Sequence, residues 1–445
     1  MALFYLLVLV MGMPNHPLFE MPFAGLTVIK YMGIACLAYT CFYLLSSNRV
    51  PRFFQTGQAR LFMVLLTMAF LSVMFKGEAQ GLAFSPLGMY ISFFFFFLIT
   101  VALVDSLRRL RMALLCSVGA MTLASLYVIR EFQKSGGAET RPGWIAGDSN
   151  YFALCCLLVL PLAFYFLRLK GPRWERWLCG VSLLIMLLAF TLASSRGGLL
   201  GLSVGTLLIL ARSKRRMRDA LIVAIAVLPL MIFAPSSPVK RLLHPTISEE
   251  GAVDIREGYW RAGLKMIRTY PLAGVGLGKF AYALDAYADS SLDSRGLAHN
   301  TYIEYAAELG IPALGTYLAL IGAMLWSLEK IRRRARRIGH SLMAYAAEAT
   351  QAGILSYAIA AFFISAEYQK AFWFFLAISA CLPDLMRQTE LASDHARPIE
   401  EKEVIHRVAA APVSVPIPRE EITSLFGQQF LSHARSLAAM RGQRT

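Results

Sequence analysis

The middle of the sequence brings together a histidine and several arginines, residue types suited to proton transfer and anion binding. His299 directly precedes a predicted helix start, where Thr301 and Glu304 have the spacing of a capping box. A helix N-terminus disfavours the imidazolium form, so we expect His299 to be neutral near pH 7 and able to accept a proton. A lone histidine at a helix start is more often only a cap or a surface residue, so its neighbours decide its function.

A basic stripe lies upstream of this histidine. The pattern from Arg256 to Tyr270 predicts a helix that ends before Pro271, and Gly274, Gly276 and Gly278 follow. One face of the helix carries cations at positions i, i+4 and i+7, namely Arg261, Lys265 and Arg268. Arginine binds phosphate through paired hydrogen bonds, so the stripe is suited to an anionic ligand. A basic face against lipid headgroups explains it equally well.

Two further short segments carry polar residues at the same predicted membrane surface. Arg196 lies in the tight turn Ser194–Gly198, and an arginine at membrane depth normally has a partner or a role. Arg141 precedes Asp148 and Asn150, which open the next predicted span. Simple N-capping is an equal alternative for these last two residues. Lys30, inside the second span, either extends toward the interface or lines a cavity.

Long apolar blocks must position all of these residues. The 445-residue chain is 57% hydrophobic, above the ~45–50% of a soluble domain, and its apolar runs approach the ~20 residues that cross a bilayer. The sequence therefore predicts an all-α, polytopic transmembrane helical bundle of about twelve spans with one larger extracytoplasmic helical loop. The spans are expected near 2–13, 23–45, 61–75, 87–104, 112–130, 149–167, 177–193, 198–211, 219–234, 301–327, 344–364 and 371–386.

Loop charges set the expected orientation. The loops after spans 2, 4, 6, 8 and 10 carry 21 Lys and Arg residues, against five in the short loops on the other side. The positive-inside rule places the first set, and both termini, in the cytoplasm. We thus expect spans 1–9 over residues 1–234, an extracytoplasmic loop with the chemical motifs over 235–300, and spans 10–12 over 301–386. Residues 387–445 are expected to form a cytoplasmic linker and an amphipathic tail helix near 419–441.

Composition argues against several other classes of protein. The net charge of +16 comes mainly from loop residues that set topology, so nucleic-acid binding is not expected. The seven cysteines lie in or beside apolar blocks, and none has zinc-ligand spacing with a histidine. The sequence has no Walker A motif and no G-x-S-x-G motif, and neither a metal nor a cofactor is predicted.

In order and spacing these motifs resemble the O-antigen ligase family, a superfamily that also holds O-antigen polymerases and some protein O-oligosaccharyltransferases. The resemblance covers roughly residues 140–325 in motif and the whole membrane region in layout. The matching segments are Arg141–Asn150, Ser195–Gly198, Arg256–Trp260 with Pro271 and Gly274–Gly278, and His299–Asn300 followed by Gly310.

The resemblance implies a bacterial inner-membrane enzyme of the cell envelope and of lipopolysaccharide synthesis. It would move a glycan from an undecaprenyl-pyrophosphate donor to an acceptor hydroxyl, with inversion and without metal. By resemblance His299 is the base on the acceptor, and the donor pyrophosphate is held by cations. The implied cations are Arg256 and Arg261, completed by Arg196, Arg141 and Lys265, with Asn300, Asp148, Asn150 and Lys30 in support.

Several alternatives stay open. Ligase, polysaccharide polymerase and protein O-oligosaccharyltransferase are not separable by these motifs, so the acceptor is a glycolipid, a glycan or a protein. A non-enzymatic polysaccharide or lipid transporter would also use many spans. That class typically has broken spans with polar residues at the midplane, whereas here the polar residues gather at the outer surface.

Overall fold

The computed structural model describes residues 1–12, 27–47, 55–77, 86–135, 148–221, 247–288 and 296–410. These residues form helices and connecting turns, and no strand occurs among them, which confirms the all-α part of the predicted fold class. In chain order the helices are α1 Ala2–Val10, α2 Val28–Ser47, α3 Gly57–Lys76, α4 Pro86–Leu103, α5 Leu107–Lys134, α6 Ser149–Arg168, α7 Arg173–Ala193, α8 Arg196–Arg212, α9 Ile247–Thr269, α10 Phe280–Tyr287, α11 Thr301–Leu309, α12 Ile311–Arg337, α13 Ser341–Ala360 and α14 Lys370–Ala410.

Within the described ranges, seven helices are long and apolar enough to cross a membrane: α2 through α7, and α12. The nine residues of α1 measure about 14 Å, which is short of a ~30 Å hydrocarbon layer. The predicted spans at 198–211, 344–364 and 371–386 are helical in α8, α13 and the start of α14. The predicted span at 219–234 lies almost wholly outside the described residues.

Small residues let the central helices pack closely. The α8 glycines Gly201 and Gly205 face α13, where a Cβ on Gly201 would lie 2.5 Å from the Ser356 carbonyl oxygen. Gly353 of α13 approaches α6 in the same way, because a Cβ added to Gly353 would lie 2.7 Å from the Leu158 carbonyl oxygen. Because lipid tails are as apolar as side chains, such close packing is a main source of helix association in membranes.

A second, smaller core holds α9, α10 and α11 together, and we call these three helices the cap. The core consists of Tyr259, Ala262, Met266, Phe280, Leu284, Ala298 and Ala307. As expected, α9 stops just before Pro271. The cap therefore has its own apolar core, which orients the residues around His299 relative to the bundle.

Two predicted boundaries differ from the structure. The span predicted at 301–327 is broken at Gly310, where φ is 86° and the Ile311 N–H bonds to the Pro271 carbonyl oxygen at 2.8 Å. A positive φ is accessible to glycine without strain, so the chain turns there and α11 becomes a separate short helix. The last helix continues to Ala410, past the predicted end at 386. Chain contacts divide the protein into Met1–Arg387 and Gln388–Thr445, and the predicted tail helix lies outside the described residues.

Candidate active site

Three helix N-termini carry side-chain caps at the same end of the bundle. Asp148 caps α6 by accepting from the Asn150 N–H at 2.7 Å, and Ser195 caps α8 by accepting from the Gly198 N–H at 3.1 Å. Asn300 caps α11, where its Oδ1 accepts from the N–H groups of Tyr302 and Ile303 at 3.0 and 3.1 Å. The capping alternative for Asp148 is thus correct. The predicted Thr301–Glu304 capping box is not formed, because Asn300 supplies the cap and both side chains have other partners.

Those partners bring the three helix starts together around the turn that follows α13. Thr301 donates its hydroxyl to the Ile364 carbonyl oxygen at 2.6 Å and accepts from the Ala366 N–H at 2.9 Å. Gly197 lies against Phe363 of the same turn. A Cβ added to Gly197 would lie only 2.8 Å from the Phe363 Cβ. Gly198 lies against Ala153 of α6. The N-terminal ends of α6, α8 and α11 therefore converge, and each contributes a partial positive charge.

His299 lies at this convergence in an unusual backbone conformation. Its φ is 48°, in the left-handed region, which costs a residue with a side chain about 1–3 kcal/mol. Its Nδ1 is buried, and no hydrogen-bond partner for it exists among the described residues. The same is true of Nδ2 of Asn300, whose side chain is fully buried. Buried polar atoms normally have partners, so two unpaired ones side by side indicate a place for a ligand.

Electrostatics keep the His299 imidazole neutral. Burial lowers the pKa of His299 below its usual value, and the positive charge of Arg256 lowers it further. The carboxylate of Asp148 acts in the opposite direction, raising the same pKa. Arg256 and Asp148 therefore both lie near enough to His299 to act on its charge. A neutral imidazole near pH 7 can accept a proton.

The backbone before His299 is held from two sides. The Trp260 indole N–H donates to the Ala298 carbonyl oxygen at 2.8 Å. Glu304 contacts the backbone of Ala298 and accepts a hydrogen bond from the Ser365 hydroxyl. Burial, followed by the negative charges of Glu367 and Glu308, raises the pKa of Glu304 well above its usual value. These contacts fix the strained turn that presents His299.

The glycine run packs against α11 and binds the carboxylate of Glu308. Gly274 has a φ of 62°, and a Cβ there would overlap the Glu308 backbone. The Glu308 carboxylate accepts from the Gly278 N–H at 2.8 Å and from the Phe280 N–H at 3.1 Å. The glycines that follow the basic stripe in sequence therefore contact α11.

The remaining predicted residues have varied surroundings. Arg261 forms an exposed ion pair with Glu257 within α9. Lys265 donates to the Tyr287 carbonyl oxygen at 3.2 Å, which stabilises the end of α10. Arg196 is the first residue of α8, so it lies at the convergence, and Asn150 lies in the first turn of α6. Arg141 lies outside the described residues, and Lys30 lies in the first turn of α2, within electrostatic range of Lys370.

Sequence reasoning missed the buried carboxylates. Glu304, Glu308 and Glu367 are all at least 94% buried and lie close enough to influence one another. Acidic residues inside or beside an apolar span are costly, and that signal was present in the sequence for all three. Among the described residues, no group of three or more His, Cys, Asp or Glu side chains is arranged to hold a metal ion.

Residues 181–318 match a family model described as O-antigen ligase. The matched region runs from α7 into α12, so it contains the start of α8, the cap and His299. No curated protein matches the chain. The family match covers the motifs from Arg196 to Gly310, whereas Asp148 and the start of α6 lie outside it.

Proposed function

We propose that this protein is a transferase acting on lipid-linked glycans. Residues 181–318 match the O-antigen ligase family model, and seven helices of the described residues are long and apolar enough to cross a membrane. The donor is an undecaprenyl-pyrophosphate-linked glycan, and the acceptor is a hydroxyl on the extracytoplasmic face of the bacterial inner membrane. The observation that supports this most directly is a partly buried His299, with a lowered pKa, near Arg256 where three helix N-termini converge.

The proposed mechanism is a single displacement. His299 accepts the proton of the acceptor hydroxyl while its oxygen attacks the anomeric carbon of the donor glycan. The bond from that carbon to the pyrophosphate breaks, which inverts the configuration. Negative charge develops on the leaving pyrophosphate, where Arg256, Arg196 and the helix N-termini stabilise it without needing a divalent cation. Arg141, Arg261 and Lys265 are proposed to extend this positive surface toward the rest of the donor.

Transfer from purified lipid-linked donor tests the roles of these residues. We expect His299→Gln to lose about 10²–10⁴ in rate while donor binding is kept, because glutamine cannot take a proton near neutral pH. Asparagine readily adopts the left-handed backbone conformation, so His299→Asn keeps the turn at position 299 and controls for its disruption. Wild-type turnover by His299→Gln would remove the base assignment. Arg256→Ala and Arg196→Ala should instead weaken donor binding, and full binding in both would remove the pyrophosphate assignment.

The proposed orientation has its own test. Cysteines introduced at Ser291 and Ser341 should differ toward a membrane-impermeant reagent, with only position 291 labelled from outside. Labelling of position 341 alone would reverse the topology and place the site on the wrong side of the membrane. Surface glycans of a deletion strain then separate the family activities. Loss of all attached chains indicates a ligase, and chains of a single repeat unit indicate a polymerase.

A further inference from the structure

The loop at the end of α9 exposes apolar side chains. Residues 268–273 are six consecutive exposed residues, and among them Leu272 is 76% exposed and Tyr270 42%. The turn is nevertheless held in place, because the Gly274 N–H donates to the Tyr270 carbonyl oxygen at 3.0 Å. Single exposed apolar residues are common on proteins, so the surroundings of the loop decide whether this surface has a partner.

The loop is attached to the ends of two helices that are long and apolar enough to cross a membrane, α3 and α12. The ammonium group of Lys76, the last residue of α3, lies 4.7 Å from the centre of the Tyr270 ring. The N–H of Ile311, the first residue of α12, donates to the Pro271 carbonyl oxygen at 2.8 Å. Because a spanning helix leaves the hydrocarbon layer near its ends, this attachment puts the loop at the level of the lipid headgroups.

The apolar surface of the loop continues onto both helices. A Cβ added to Gly310 would lie 2.3 Å from the Leu272 carbonyl oxygen, so Leu272 adjoins the start of α12, where Ile311 is exposed. The last turn of α3 exposes Met74 and Phe75. Exposed apolar side chains on a spanning helix contact lipid tails, which are as apolar as they are. The loop therefore extends a surface that lipid covers, which favours lipid over a protein partner.

The polar and aromatic residues of the loop are suited to the same position. Tyrosine is enriched where a bilayer meets water, because its ring is apolar and its hydroxyl is polar. Arg268 and Lys76 flank the loop and are both exposed, and long basic side chains can extend from such positions to phosphate groups. Arg268 belongs to the basic stripe of α9 but has no role in the proposed transfer, so this position accounts for it.

We propose that the loop 268–273 inserts into the leaflet at the cap end of the bundle, with Leu272 and Tyr270 among the upper acyl chains. The partner of this surface is the bilayer itself and not a bound substrate. Because α9, α10 and α11 share one apolar core, the insertion anchors the whole cap at a fixed height on the membrane. The proposal does not depend on the transferase activity, since it concerns contact with lipid alone.

Spin labels measure the depth of the loop in the full chain, reconstituted in vesicles of phosphatidylcholine and phosphatidylglycerol. Cys41 and Cys116 are first replaced by serine, because the other cysteines are buried. Leu272→Cys is then labelled, with Leu318→Cys on α12 as the lipid reference and Glu257→Cys on α9 as the aqueous reference. All three side chains are exposed, so the label should not disturb packing at any of them.

Oxygen concentrates in hydrocarbon and a nickel chelate stays in water, so their relative effects on the label report its surroundings. The ratio of oxygen to nickel accessibility at position 272 should match that at position 318 and exceed that at position 257 severalfold. A ratio equal to that at position 257 would place the loop in water and overturn the proposal. Exclusion of both reagents would also overturn it, because protein would then cover the loop.

A photoreactive residue identifies the neighbour directly. Leu272→p-benzoylphenylalanine should yield a phospholipid adduct in the intact mass spectrum after irradiation, whereas Glu257→p-benzoylphenylalanine should yield none. Cross-linking of position 272 to a second copy of the chain, without a lipid adduct, would overturn the proposal. The same measurements on His299→Gln should give the wild-type pattern, which separates this result from the fate of the transferase proposal.

Discussion

Glu308 should hold α10 and the glycine segment before it onto α11 within the cap, and its replacement gives a quantitative test of that contact. Its carboxylate accepts two backbone hydrogen bonds, from Gly278 and Phe280, and only 5% of the residue is exposed. In Glu308→Ala both donors lose their partner. Each buried, unsatisfied donor costs about 1–3 kcal/mol, so the local structure should lose about 2–6 kcal/mol.

Amide hydrogen exchange measured by mass spectrometry reports this loss where it occurs. A local destabilisation of about 2 kcal/mol lowers protection roughly thirtyfold, so peptides covering residues 274–284 should exchange at least that much faster in Glu308→Ala. Glu308→Gln keeps one acceptor oxygen and loses the other bond, so a smaller change of about fivefold or more is expected.

A matched control is Glu131→Ala, which removes an exposed glutamate paired with Lys134 on α5. Exposed ion pairs contribute little, so protection of residues 274–284 should not change. Unchanged exchange in Glu308→Ala would refute the reasoning. It would mean that the backbone bonds from Val275 to Ala307 and from Gly276 to Glu308 hold the segment by themselves.

The other predictions concern the base and the membrane packing. The acid limb of the pH–rate profile is the fall in transfer rate as His299 becomes protonated. Arg256→Gln should move this limb to higher pH, because Arg256 lowers the pKa of His299. Asp148→Asn should move it to lower pH, because Asp148 raises the same pKa. Rate profiles that shift in the same direction would contradict this. Gly201→Ala should destabilise the protein by about 1–3 kcal/mol, because its Cβ would press on the backbone of α13. Gly322→Ala, with no atom near its Cβ position, should stabilise by about 0.5–1 kcal/mol, and detergent unfolding midpoints compare the two.

Patterns that depend on local physics were predictable from the sequence. Pro271 ends α9 because proline cannot continue a helix, and Asp148 caps α6 because its side chain reaches the first free N–H groups. His299 was selected as a candidate because it lies beside a helix start in a segment that also carries arginines. Each of these signals spans a few residues, so a single sequence contains it.

Long-range pairings were not predictable in the same way. Glu304 has the spacing of a capping residue, yet its partner Ser365 lies 61 positions away in sequence. The glycines after Pro271 follow a basic stripe in sequence, but their contacts are made with the carboxylate of Glu308, which no local pattern connects to them.

The arrangement of charge around His299 implies an order of binding. Burial lowers the pKa of the His299 imidazole, and the positive charge of Arg256 lowers it further. A bound pyrophosphate would introduce negative charge beside it, and a neighbouring opposite charge favours the imidazolium. His299 should therefore become a stronger base after the donor binds, so that proton transfer from the acceptor is favoured when the leaving group is in place. We expect the acid limb measured at saturating donor to lie at higher pH than the limb of kcat/KM for the donor, which reports the free enzyme. Coincident limbs would show that the pyrophosphate binds too far from His299 to act on it.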